Sequence, residues 1–478
     1  MLLKWFPKLK ENKIIQLLNE LFYSKYYIIA VGILVFLCHG FSFEIPLFYL
    51  AVIVGIIIPS LLCDDLISLV APLAMFYSSI SLRINSVHME ASLFEGANKV
   101  HLIVLVSLIF LFILGRLVFD IYTKKERRVR PALLLGYIFL APCMILGGLF
   151  SSHLKGDTML YGLVVFLSLS GVYFILLCII DWKKVPKDYY AWLATVYGLT
   201  VAFEVFFIVL KIKSGHTEYI STQDQIYTGW GMRNNIAGQI VICIAGPIYL
   251  AYKSSRLTLL YLTIPFIMLV GILLTNSRGG TVVGLLILVA SLIAFAILGK
   301  KIQKFELLGV VCAAAIATAI VFIVKKEEMY QLFARFFDSR PDISDIKDFT
   351  QGRNVTWEHG LDHFKESSLF GVGFYQCNDY RFENFTTSFV PARYHNIYIQ
   401  LLASTGVMGF AAYLYHRYQT LVLTFKKPTI EKTMMYMTIV GIVFCSFVDN
   451  TFFNLGPGLN YCIALAFIEG VNIKEKLI

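Results

Sequence analysis

His395 is the titratable residue with the clearest chemical opportunity in this chain. Asn396 follows it, then Gly406 and Gly409. At ~100° per residue both glycines fall within about 40° of His395 on a helical wheel. Small residues on one helix face let another helix come close inside a bilayer. A polar group at the top of such a face points into protein, not lipid. A helix N-terminus disfavours the imidazolium, which leaves a neutral imidazole able to take a proton from a hydroxyl. The plainer alternative is a histidine that only caps or hydrogen-bonds at the interface.

Two arginines suggest complementary chemistry. Arg278 sits in Thr275-Asn276-Ser277-Arg278-Gly279-Gly280, a tight turn between two apolar runs. A guanidinium fork matches phosphate geometry, and Gly279 and Gly280 would let a ligand approach the backbone. The same arginine could simply reach lipid headgroups. Arg233 lies in Gly231-Met232-Arg233-Asn234-Asn235. Asn234 or Asn235 can cap the span that follows, and a helix N-terminus attracts an anion; a flank charge plus a cap is the alternative. Arg335, Arg340, Arg353 and Arg393 are further candidates for anionic sugars or lipid phosphates, or members of a solvated face. Trp357, Tyr375 and Tyr394 can stack on sugar rings or serve as local anchors. His359 and His363 have the i, i+4 spacing of two zinc ligands, with no third ligand evident.

These groups need a membrane scaffold. The chain has 478 residues, of which 58% are hydrophobic and 15% charged, with mean hydropathy +0.72. A soluble chain carries about 25% charged residues. About fourteen apolar runs recur, so an all-α polytopic transmembrane bundle of about 12–14 spans is expected. With fourteen spans, the lysine and arginine clusters at 124–128, 183–184, 253–256, 300–304 and 426–432 share one side with the lysine-rich N-terminus. The positive-inside rule makes that side cytoplasmic. The net charge of +10 is then a topology signal, not a nucleic-acid footprint. Residues 213–234, 275–280, 325–394 and 449–456 face outward on this reading.

The expected organisation is a cytoplasmic interfacial helix within 1–25, a transmembrane bundle over 26–324, a large extracytoplasmic loop over 325–394 and C-terminal transmembrane helices over 395–478. Ile14, Ile15, Leu17, Leu18, Leu21 and Phe22 give the first of these its helical apolar spacing. Nine cysteines are scattered singly and imply no disulfide framework. A transporter would show repeat symmetry and charges mid-span; the sequence suggests neither, so a flippase is the least favoured class.

His395-Asn396, nine residues, Gly406, two residues, Gly409 is similar to the histidine motif of the O-antigen ligase and polymerase superfamily. Thr275 to Gly279 resembles that family's Ser-Arg-Gly turn, and Arg233-Asn234-Asn235 its upstream segment. Gly352-Arg353 through Trp357 to Gly371-Val372-Gly373 resembles its glycine-punctuated loop. The resemblance covers roughly residues 190–470. It implies a metal-independent, inverting glycosyltransferase without cofactor, in a bacterial inner membrane, with its site on the extracytoplasmic side. The implied partners are an undecaprenyl-diphosphate-linked oligosaccharide donor, a glycan or lipid acceptor, membrane lipids, a chain-length regulator and a flippase. Polymerase is favoured over ligase, because nothing marks a specific lipid A-core or pilin acceptor. His395, Arg278 and Arg233 become the candidate catalytic residues. Asn234, Asn396, Arg353, Arg393, Tyr394 and Trp357 become the candidate substrate-binding residues. One departure stands out: the long loop offers no obvious carboxylate base.

Overall fold

The computed structural model describes residues 12–41, 49–77, 96–123, 130–151, 158–216, 226–228, 230–324, 326, 353–374 and 394–475. In lipid an apolar run satisfies its backbone by coiling on itself. The first helices are α1 (Lys13–Phe22), α2 (Lys25–Phe41), α3 (Tyr49–Leu62) and α4 (Ile67–Phe76). Next come α5 (Gly96–Thr123), α6 (Leu134–Ile145), α7 (Thr158–Ile179) and α8 (Tyr189–Lys213). A short antiparallel ladder, β1 (Tyr227–Thr228) with β2 (Gly231–Met232), leads into α9 (Arg233–Val241) and α10 (Ala245–Lys253). After it come α11 (Thr258–Leu274), α12 (Arg278–Leu298) and α13 (Lys301–Val324). The last four are α14 (Arg353–Glu366), α15 (Ile397–Phe425), α16 (Ile430–Asp449) and α17 (Leu455–Lys474).

The protein is an all-α, multi-pass membrane bundle. Among the described helices long and apolar enough to cross a bilayer, the α9–α10 span is the most enclosed, whereas α5 and α13 are the least. Ile14, Leu17 and Leu21 of α1 are exposed while Ile15 and Phe22 pack inward, and α1 meets α2 at 69°. Among the described residues, eight helical stretches are long and apolar enough to cross a bilayer, nine if α1–α2 counts as one. That is fewer than the twelve to fourteen that hydropathy suggests. The expected runs all form helix, but α3, α4, α6 and α11 have only 10–17 residues. At ~1.5 Å per residue, such helices span less than the ~30 Å hydrocarbon core.

The spans are not free of charge either. Arg116, Asp120, Glu204 and Glu469 are all buried. Arg116 Nε donates to Asp120 at 3.0 Å and its terminal nitrogen to the Cys63 carbonyl at 2.9 Å. Ala132 N donates to Glu469 at 2.8 Å. Such pairs fasten helices together where an unpaired charge would be costly.

α15 departs most from expectation. Gly406 adopts φ +64° and ψ −166°, which splits α15 into two helical segments. His395 stands outside the helix at φ +50°. The single face expected for His395, Gly406 and Gly409 therefore does not form. The chain after α14 docks at the break instead. Val372 N donates to Ala403 O at 2.8 Å, Gly373 N to Ser404 O at 2.9 Å, and Val407 N to Ser368 O at 2.9 Å. A Cβ on Gly406 would lie 2.4 Å from the Leu369 carbonyl. Irregular backbone within a membrane bundle is tolerated where other protein backbone pairs with it.

Candidate active site

Arg233, Arg278 and Arg353 are each the first residue of a helix: α9, α12 and α14 respectively. A helix N-terminus carries partial positive charge, so each guanidinium adds to a local field already favouring anions. Arg233 interacts electrostatically with Arg278, Arg353 and Asp449. Arg233 is therefore within electrostatic reach of both other arginines and of Asp449.

Local chemistry fixes their placement. Ser277 caps α12, its Oγ accepting from Gly280 N at 3.2 Å and donating to Asn234 Oδ1 at 2.8 Å. That bond joins the Arg233 and Arg278 helices. Asn235 Oδ1 accepts from Asn454 Nδ2 at 2.7 Å, which brings in the start of α17. The asparagines thus tie helix ends together rather than cap α9. Gly279 and Gly280 serve packing: a Cβ would lie 2.9 Å from Val448 at Gly279 and 2.4 Å from Ala237 at Gly280.

His395 Nδ1 lies 2.7 Å from Asp449 Oδ1. A carboxylate accepts, so a neutral imidazole paired with it through Nδ1 places its proton there and leaves Nε2 as the ring's acceptor. Asn396 caps α15, accepting from Tyr398 N at 3.0 Å and Ile399 N at 3.2 Å. Its amide reaches Phe447 O on α16 at 3.4 Å. Gln400 Oε1 accepts from Tyr394 N at 3.2 Å and from Asn450 Nδ2 at 3.3 Å, so one buried atom ties the residue before His395 to the residue after Asp449. Among the described residues, the non-glycine positions with positive φ are Asn276, His395 and Asn450. All three belong to this site, and such strain clusters where function demands it.

Residues 264–414 match the family model described as O-antigen ligase. Over this stretch, less than half of its length, the chain is similar to the O-antigen ligase family. No curated protein matches the chain. The O-antigen ligase match points to a glycosyl-transferring membrane enzyme, a family that implies a lipid-linked glycan donor and an acceptor. It takes in Arg278, Arg353, His395 and both α15 glycines, but stops short of Asp449 and begins after Arg233.

Within the matched stretch, α14 lies against the N-terminal segment of α15. Gly360 of α14 approaches Ile399 and Tyr394 so closely that a Cβ would meet Ile399 at 2.4 Å. Tyr394 is 1% exposed and its hydroxyl is 2.7 Å from His363 Nδ1. It is therefore a packing and anchoring residue, not a stacking platform for a sugar. That contact also occupies one ring nitrogen of the His359–His363 pair. Trp357 is half-buried, and its Nε1 has no hydrogen-bond partner among the described residues. Arg335, Arg340, Tyr375 and Arg393 lie outside the described residues.

Asp449, Asn450 and Gln400 were not singled out from sequence. Asp449 had one readable signal: a carboxylate on the last residue of a helix opposes the macrodipole, which a purely structural position would avoid.

Proposed function

We propose that this enzyme transfers a glycan from a polyprenyl diphosphate carrier to an acceptor hydroxyl at the extracytoplasmic face of a bacterial inner membrane. The convergence of three helix-opening arginines beside the His395–Asp449 pair carries the reading. His395 Nε2 takes the proton of the acceptor hydroxyl. That oxygen attacks the anomeric carbon while the bond from this carbon to the phosphate oxygen breaks. The electron pair leaves with the diphosphate, whose charge Arg233, Arg278 and Arg353 stabilise. Asp449 holds the imidazole in the working tautomer and stabilises the imidazolium that forms. One displacement of this kind inverts the anomeric centre. Arginines in place of a divalent cation make the proposed mechanism metal-independent. Trp357, Asn234 and Asn396 border the substrate region, and Tyr394 supports it from within.

The proposed reaction is polymerisation, joining repeat units on the lipid carrier as in surface-polysaccharide assembly. Purified enzyme given a polyprenyl-diphosphate-linked oligosaccharide should yield a ladder of longer products still attached to lipid. A single transfer to an added lipid or peptide acceptor, with no ladder, would replace polymerase by ligase. No transfer from any lipid diphosphate donor would overturn the proposal.

A further inference from the structure

We infer that the buried Glu204–His39 pair is a positioning device for Arg233, acting through Trp230. This rests on the reading that Arg233 holds the donor diphosphate. Glu204 lies in α8 and His39 near the end of α2, with side chains only 3% and 4% exposed. A carboxylate enclosed in a membrane bundle is costly unless partnered, and such residues mark functional machinery. Both partners meet one oxygen. Glu204 Oε2 lies 2.7 Å from His39 Nδ1 and 2.6 Å from Trp230 Nε1. The Trp230 ring is fully buried, with His39 at 5.1 Å and Tyr197 at 5.3 Å between ring centroids.

Trp230 belongs to the strap that leads into α9. Its backbone N–H donates to Thr228 Oγ1 at 3.0 Å, and Gly231 follows at φ +98°. Arg233 comes two residues later, as the first residue of α9. Glycine at that step permits the positive φ with which the strap turns toward α9, and the ladder pairs Gly231 with Thr228. Fixing the indole therefore fixes where the guanidinium starts. Arg233 must be held against the repulsion of Arg278 and Arg353, which act on it in the same region. A rigid anchor behind it supplies that constraint, as outer partners orient the ligands of a metal site.

The test is binding of farnesyl diphosphate to the purified full-length protein, alongside transfer kinetics. Trp230→Phe keeps an aromatic ring between His39 and Tyr197 but removes the N–H donor and part of the indole volume, so it should still fold, with a modestly lower melting temperature. It should weaken farnesyl diphosphate binding by roughly tenfold, and raise the donor KM more than it lowers kcat. Glu204→Ala should do the same, and Glu204→Gln, which keeps an acceptor for the indole, should restore binding. Adding Trp230→Phe to Arg233→Ala should cost nothing further. The inference is overturned if Arg233→Ala weakens binding while Trp230→Phe and Glu204→Ala bind like the parent. If Arg233→Ala itself binds like the parent, the assignment of Arg233 falls and this inference falls with it. The two failures are therefore distinguishable.

Discussion

His395 and Asp449 meet at 2.7 Å although 54 positions separate them in the chain. The histidine was readable from sequence because it opens an apolar segment after the one long polar stretch. Its carboxylate was not, because hydropathy places Asp449 only at the end of a span and says nothing of what it faces. The pair makes a specific claim about orientation. Asp449→Asn keeps the shape but can hold the imidazole with the wrong nitrogen protonated. It should lower kcat by at least about 10²-fold with little change in donor KM. A variant that transfers glycan at the parental rate would remove Asp449 from the mechanism. The arginines are similarly specific. Arg278→Lys keeps the charge but loses the bidentate fork, so it should not rescue Arg278→Ala fully in diphosphate binding. Equal binding by Arg278→Lys and the parent would reduce the role of Arg278 to simple charge.

At the scale of elements, Gly406 is the turning point. A helical wheel assumes one continuous helix, and that assumption puts His395 and two glycines on a common face. The break at Gly406 cancels it, because the backbone there pairs with residues 367–374 instead of continuing the helix. The spacing of the glycines was visible; the loop they receive was not, since a backbone-to-backbone dock leaves no side-chain pattern. Gly406→Ala should be damaging on two counts. Its φ of +64° with ψ −166° lies in a region essentially confined to glycine and costs an L-residue about 1–3 kcal/mol, and the methyl group would strike the Leu369 carbonyl. The expected result is a lower melting temperature in detergent together with loss of transfer. Gly309 of α13, with open space around its Cα, should accept alanine without either effect. Parental stability and activity in Gly406→Ala would mean the dock is dispensable.

Across the whole molecule, composition and periodicity identified an all-α membrane bundle, though among the described residues some of the apolar runs form helices shorter than a full span. Short helices such as α6 read as spans because hydropathy windows register apolar content, not where a helix stops. Charge bias also carries a prediction about sidedness. In a variant whose nine cysteines are replaced, Ser368→Cys should react with an impermeant thiol reagent on intact cells, and Ser255→Cys only after permeabilisation. The reverse pattern would put the arginine cluster on the cytoplasmic side. The central claim joins these scales: three helix-opening arginines and a histidine–aspartate pair form one site for a lipid diphosphate and a sugar hydroxyl. Its most direct test is the rate of lipid diphosphate release by purified enzyme from a polyprenyl-diphosphate-linked oligosaccharide, for the parent, Arg278→Ala and His395→Ala. Release should fall by about 10²–10³-fold in Arg278→Ala and 10²–10⁴-fold in His395→Ala. Unchanged release in both variants, each still folded, would contradict the account.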